Sequence, residues 1–166
     1  MAPPSVVDTN VLVSGLLASG PDSAIAKIVD AMLSAAFPFV LSDALMAEYR
    51  SVLLRPALIK AHGLGPGEID VVLVELAQHA MVLSPRAAGA SPDPGDQHLW
   101  DLLAARDDLV LITGDKLLQR NRAMRRRILT PAEFAERWLV PGRWSRSTGA
   151  RGPGLDKSTL TPFISR

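Results

Sequence analysis

The run LVLIT, residues 109 to 113, restricts the fold of this chain more than any other segment. It is continuous, apolar and β-branched, the pattern of a strand buried on both faces. Such strands belong to parallel sheets, which need helical crossovers between neighbours. The rest of the chain supplies them. Ser5 to Val7 reads as a short buried strand, FPFVLS (37–42) as a second and Met81 to Leu83 as another. A helix follows the Pro21–Asp22–Ser23 turn, with Ile25, Ile28, Val29 and Met32 on one face. Another starts at Ser42 or Asp43 and runs through Leu54, stopping before Pro56. Glu68 to His79 reads as a third, and Asp93–Pro94 opens a fourth that reaches about Arg106. This alternation predicts an α/β fold, a parallel sheet covered on both sides.

Residues 1–140 form one predicted domain, closed by ILTPAEFAERWL, where Thr130 caps a helix and Pro131 takes its first position. Residues 141–166 are rich in Gly, Pro, Ser, Thr and Arg and read as a basic, poorly ordered tail. There is no cysteine in the 166 residues, which excludes disulfides and thiolate zinc sites and agrees with a cytoplasmic location. VLVSGLLASG lacks a preceding Lys or Arg, so it is not read as a signal peptide. Asp30, Pro38 and Asp43 interrupt the best candidate for a membrane span.

The chemistry-bearing residues are acids. Asp8 follows the first strand at its carboxyl end, the edge where open α/β sheets bind ligands; the alternative is a helix cap ahead of Thr9–Leu12. Glu48 shares a helix margin with the apolar stripe of Leu45, Tyr49 and Val52. A carboxylate there calls for a metal or for a salt bridge to Arg50, Arg55 or Arg86. Asp93 before Pro94 carries a cap signature. Asp96 begins the stripe continued by Leu99, Trp100 and Leu103 and points toward the sheet, unlike Asp101, Asp107 and Asp108. Asp115 again stands at the carboxyl end of a buried strand, two residues after Thr113, either capping the next helix or facing the same site as Asp8.

Four carboxylates on one edge repel each other unless cations intervene. Oxygen ligands without Cys or a close His pair suit Mg²⁺ or Mn²⁺, ions that activate water and steady a scissile phosphate. His62, His79 and His98 are scattered, and His98 is read as a helix residue near the site rather than a ligand.

VVDTNVLVSGLL, LMAEYRSVL, DPGDQHLWDLLAA and LVLITGDKLL, in that order and with ILTPAEF after them, resemble the PIN-domain family. More narrowly they are similar to the PIN-family toxins of bacterial toxin–antitoxin systems, over residues 5 to about 138. The resemblance implies a three-layer α/β/α, Rossmann-like domain with a central parallel sheet of four or five strands. It implies a Mg²⁺- or Mn²⁺-dependent endoribonuclease that cleaves RNA phosphodiesters with metal-activated water. Asp8, Glu48, Asp96 and Asp115 become the catalytic quartet, with Asp8, Asp96 and Asp115 as metal ligands. Asn10 and Thr113 become supporting residues, and Asp93 is a ligand or a cap. Gly95 stands where relatives often carry a further acid, and the tail beyond Trp138 lies outside the usual domain. The likeness also implies an antitoxin partner that occludes the site, and a homodimer.

Lys116, Arg120, Arg122, Arg125, Arg126 and Arg127 follow Asp115 closely and are the expected RNA-backbone contacts. Trp100 and Trp138 are expected to pack rather than stack on bases. Ala57–Ile59 and Val71–Val74 are candidate interface residues, most of them better placed in the core. The alternatives are a PIN-fold RNA- or partner-binding module without catalysis, or a housekeeping RNA-processing nuclease. A haloacid-dehalogenase-type phosphatase would need an acid where Asn10 stands, and a receiver-like domain would need an acid pair near the first strand.

Overall fold

Strand β4 (Val110–Ile112) lies inside the sheet with a neighbour on each side, as its uninterrupted apolar sequence leads one to expect. In the computed structural model, which describes residues 1–18 and 23–139, it pairs in parallel with β1 (Ser5–Val7) on one side and β5 (Ile128–Leu129) on the other. Two further strands, β2 (Val40–Leu41) and β3 (Met81–Val82), pair in parallel with each other. A parallel bridge from Ser5 to Phe39 joins β2 to β1, giving the spatial order β3-β2-β1-β4-β5. Five short parallel strands agree with the sequence expectation. The predicted tail, 141–166, and Pro21 and Asp22 of the predicted turn lie outside the described residues.

The chain moves outward from β1 to β3, then returns past β1 to β4 and β5. Right-handed crossovers therefore send the two sets of connecting helices to opposite faces of the sheet. The first set comprises α1 (Thr9–Leu17), α2 (Ala24–Leu33), α3 (Asp43–Leu53), α4 (Pro56–His62) and α5 (Pro66–His79). The second comprises α6 (Gln97–Leu103), entered through a 3₁₀ turn at Pro94–Asp96, and α7 (Lys116–Gln119). The last helix, α8 (Pro131–Trp138), packs on α2. Its capping box is complete: Glu133 N–H donates to Thr130 Oγ1 at 3.1 Å, and Thr130 N–H to Glu133 Oε2 at 2.8 Å. Ser42 caps α3, its hydroxyl accepting from Leu45 N–H.

Three elements differ from expectation. Helix α1 is real, with Val11, Leu12, Val13 and Leu16 buried, yet the Asp8 side chain makes no capping bond to it. Pro56 does not merely stop α3; it takes the first position of α4, where its missing N–H is no loss. The helix expected from Pro94 to Arg106 is a 3₁₀ turn followed by a shorter helix that ends at Leu103.

Helices α1 and α2 approach closely at Gly15. A Cβ there would sit 2.2 Å from Val29 Cγ2 and 2.9 Å from the Ile25 carbonyl. The core beneath them is Val6, Leu12, Ile28, Met32, Phe39, Leu111 and Ile112, all fully buried. Trp100 is buried and Trp138 stacks near Phe134, ring centroids 5.1 Å apart, so both pack as expected. His62 is a satisfied core residue, its Nδ1 accepting from Leu64 N–H and its Nε2 reaching the Leu53 carbonyl. Of the candidate interface residues, Val72 and Leu73 are core, Val71 and Val74 are exposed, and Ala57 is exposed beside half-buried Leu58 and Ile59. No helix among the described residues is long and apolar enough to cross a membrane.

Candidate active site

Strand order reverses between β1 and β4, so the crevice beyond their carboxyl ends is where a sheet of this kind opens to a ligand. Asp8 and Thr113 are the first residues past those ends. The ladder pairs Val7 with Ile112, and Asp8 N–H still donates to the Ile112 carbonyl at 3.0 Å. The pleat therefore holds the two side chains side by side. Thr113 Oγ1 donates to Asp8 Oδ2 at 2.7 Å and accepts from Asp115 N–H at 3.0 Å. One hydroxyl thus ties the acid of β1 to the turn that carries the acid after β4. The Thr113 carbonyl is itself held by Gln119 Nε2 at 2.7 Å.

Glu48 comes from α3 and is placed by its neighbour. Tyr49, fully buried, donates its hydroxyl to the Val7 carbonyl, the last of β1. Burial and the nearby Asp8 and Glu48 charges push the Tyr49 phenol well above its usual range, so it stays a neutral donor. This anchor brings Glu48 to the start of α1, where its Oε2 accepts from Thr9 Oγ1. His98 of α6 completes the contact, its Nε2 3.2 Å from the same oxygen. Glu48 forms no salt bridge with Arg50, Arg55 or Arg86 among the described residues, and Arg50 pairs instead with Asp70 at 2.7 Å. The arginine partners suggested for Glu48 are therefore not the ones the structure shows; its nearest ionisable partner is His98.

Asp96 ends the 3₁₀ turn and makes no capping bond, while Leu99, Trp100 and Leu103 behind it are buried. Its carboxyl is raised to about 6, first by burial and then by the charges of Asp8, Asp93, Asp115 and Glu48. Asp8 is also raised, chiefly by burial; the Thr113 hydrogen bond pulls it down, and the Glu48 and Asp115 charges push it up. Among the described residues no lysine or arginine appears as an offsetting cause of either shift. The acids that were expected to converge therefore raise one another through a shared negative field.

The other two acids do cap. Asp115 Oδ1 accepts from Leu117 N–H at 2.8 Å, which leaves its second oxygen for the crevice. Exposed Asp93 accepts from Gly95 N–H at 2.9 Å and acts as a cap that also raises Asp96. Asn10, expected to bond the carboxylates or metal-bound water, makes no side-chain hydrogen bond among the described residues and lines an adjoining cavity with Asp115.

The donor set fits a hard divalent cation in charge and in chemistry, because oxygen ligands with a surplus of negative charge are what Mg²⁺ and Mn²⁺ prefer. It is not a preformed cage: among the described residues no group of three or more acids or histidines is arranged to hold an ion as it stands. Thr9, Tyr49 and His98 are the contributors that reading the acids alone underrates. Thr9 was visible in VVDTN, whereas Tyr49 and His98 carry no local signal that separates them from ordinary helix residues.

The cations are placed differently from expectation. Lys116 opens α7 beside Asp115 and is exposed, as are Arg120 and Arg122. Arg125, Arg126 and Arg127 form a 3₁₀ turn that immediately precedes β5. In a parallel sheet that position is the amino edge, opposite the acids. Arg127 confirms the placement: its guanidinium donates to the carbonyls of Leu103, Arg106 and Leu109 at 2.7, 2.7 and 2.9 Å, all ahead of β4. It is a structural clamp. Nearness to Asp115 in sequence misleads because the β4–β5 crossover carries the chain back across the sheet.

A family model described as PIN domain matches residues 4–117, a span that contains Asp8, Glu48, Asp96 and Asp115 and ends before Arg120. No curated protein matches the chain.

Proposed function

This chain belongs to the PIN-domain family, whose members are generally nucleases, and on that premise we propose that it is a Mg²⁺- or Mn²⁺-dependent endoribonuclease. One observation carries the reading: Asp8 is buried at the strand-order reversal, where burial and the Glu48 and Asp115 charges raise its carboxyl and no lysine or arginine among the described residues appears as an offsetting cause. A structural acid in that position would be paired. Asp8, Asp96 and Asp115 would hold the divalent ion, which when bound neutralises the field and supplies Lewis-acid activation of water and phosphate. Thr113 fixes the rotamer of Asp8 and ties it to the Asp115 turn. Glu48, which accepts from Thr9 and has the His98 ring 3.2 Å away, is left to orient the attacking water. Lys116, which opens α7 directly after Asp115, and Arg120 at the end of that helix are both exposed, and we assign them to RNA phosphates.

The finer reading is that this ribonuclease is the toxin of a type II toxin–antitoxin module, acting in the cytoplasm and silenced by a protein antitoxin. Its support is the ordered likeness of VVDTNVLVSGLL, DPGDQHLW and LVLITGDKLL to that branch of the family. Homodimerisation belongs to the same reading.

The test is incubation of the purified protein with a mixed RNA pool and with DNA, in Mn²⁺, Mg²⁺ or EDTA. Cleavage of RNA that requires the ion supports the proposal; binding without cleavage under any metal turns it toward a non-catalytic module. Co-expression with the product of the adjacent reading frame tests the toxin assignment, which predicts that growth arrest by this chain alone is relieved by the pair.

A further inference from the structure

We infer that the cavity between α1 and the β4–α7 turn seats one nucleobase of the RNA next to the bond that is cut; the inference rests on the ribonuclease reading. The cavity holds about 220 Å³ and is lined by Asn10, Val11, Ser14, Ile25, Gly114 and Asp115. That is less than the roughly 300–1,000 Å³ of pockets that enclose drug-sized ligands, so it has room for one ring system rather than a whole nucleotide. Val11 and Ile25 give it apolar walls. Asn10 and Ser14 lie four residues apart on α1 and present an amide and a hydroxyl on the same helix face.

Neither of those side chains hydrogen-bonds to another group among the described residues, so both remain free for a ligand. Each supplies a donor and an acceptor, which matches the mixed edge of a base. Among the described residues the lining contains no cation and includes the Asp115 carboxylate. An anionic phosphate is therefore disfavoured, and a neutral heterocycle is accepted. Asp115 is also a wall shared with the acid cluster, so an occupant lies directly beside the scissile phosphate. A Cβ on Gly114 would meet nothing within 4 Å, leaving the approach over the turn open. Single-stranded RNA, whose bases can be splayed out of the stack, is the form this geometry accepts.

The experiment measures equilibrium binding of a short single-stranded oligoribonucleotide in EDTA, with an abasic site walked along it. With the wild-type chain, one abasic position is expected to weaken binding about tenfold. Ser14→Phe, which fills the cavity, and Asn10→Ala, which removes the amide, are each expected to abolish that position effect while the circular dichroism spectrum is kept. A 2′-deoxy substitution at the same position is expected to change little, which separates base from ribose. The inference is overturned if no abasic position matters, if the effect survives both variants, or if the 2′-deoxy change alone reproduces it. A position effect in a protein that never cleaves RNA would sink the catalytic reading and leave the subsite standing.

Discussion

Thr113 and Asp8 are 105 residues apart in sequence and 2.7 Å apart in space, joined by a buried hydrogen bond across the β1–β4 ladder. The same hydroxyl accepts from Asp115 N–H, so Thr113 connects two acids without being one. Replacing it with the near-isosteric valine keeps the packing and deletes the donor. Thr113→Val is expected to lower kcat/KM and metal affinity about 10–100-fold, the usual consequence of losing a group that orients a ligand. Thr113→Ser should retain most of both. Equal behaviour of the two variants in steady-state kinetics and Mn²⁺ titration would remove this bridge from the account.

Asp96 predicts an unusual dependence of stability on pH. Its folded carboxyl titrates at about 6 against 3.8 in the reference state, so between those values the folded chain binds the extra proton. Stability attributable to Asp96 is therefore greatest below about pH 4, declines as pH rises toward 6 and is flat above. Urea midpoints of the metal-free protein, compared with Asp96→Asn across this range, should converge at low pH and separate at high pH in favour of the variant. Asp8, shifted in the same direction, leaves a residual slope in the variant. Mn²⁺ should reverse the wild-type loss. Parallel curves for the two proteins contradict the shared-field description.

The topology separates two groups of cations that the sequence places together. Replacing Lys116 and Arg120 with alanine is expected to weaken RNA binding and to reduce the slope of log K against log salt by about 1.4, the value for two contacts to a single strand. The Arg125→Ala/Arg126→Ala pair, at the opposite sheet edge, should change that slope less. Arg127→Ala should instead lower stability by about 1–3 kcal/mol, because it strips three carbonyls of a charged donor. Fluorescence anisotropy over a salt series and thermal denaturation check the three variants, and a larger slope change for the Arg125 and Arg126 pair would overturn the division.

Gly15 allows α1 to lie against α2, and its replacement by alanine drives a methyl into Val29 and the Ile25 carbonyl. Overpacking of this kind destabilises by about 1–3 kcal/mol, even though alanine is the better helix former. A thermal melt of Gly15→Ala unchanged from wild type would mean that the helices are not in contact here.

Much of this molecule was legible from periodicity and from the acids at strand ends. LVLIT announced a doubly buried strand, and VVD and TGD placed two carboxylates at one edge before any geometry was known. Asp96 was legible for a related reason, because Leu99, Trp100 and Leu103 fixed its side of the helix. What escaped depended on the third dimension. β5 is two residues long, too short to show a period, yet it decides which edge Arg125–Arg127 occupy. Pro56 signals both the end of one helix and the start of another, and only packing selects. The contacts of Glu48 with Thr9 and His98 join distant elements, 39 residues apart in sequence for Thr9, so no local pattern encodes the pairing. Asn10 took its supporting role from the family likeness, and the cavity it lines beside Asp115 carries no local signal in the sequence.

The central claim is that Asp8 serves catalysis rather than stability, and Asp8→Asn tests it most directly. The amide keeps the shape and the contact with Thr113 but removes a charge whose burial is unfavourable. RNA cleavage in Mn²⁺ is expected to fall by at least about 10³-fold while the melting temperature of the metal-free protein is unchanged or raised. Full cleavage by Asp8→Asn, or lost cleavage only in step with lost folding, would contradict it.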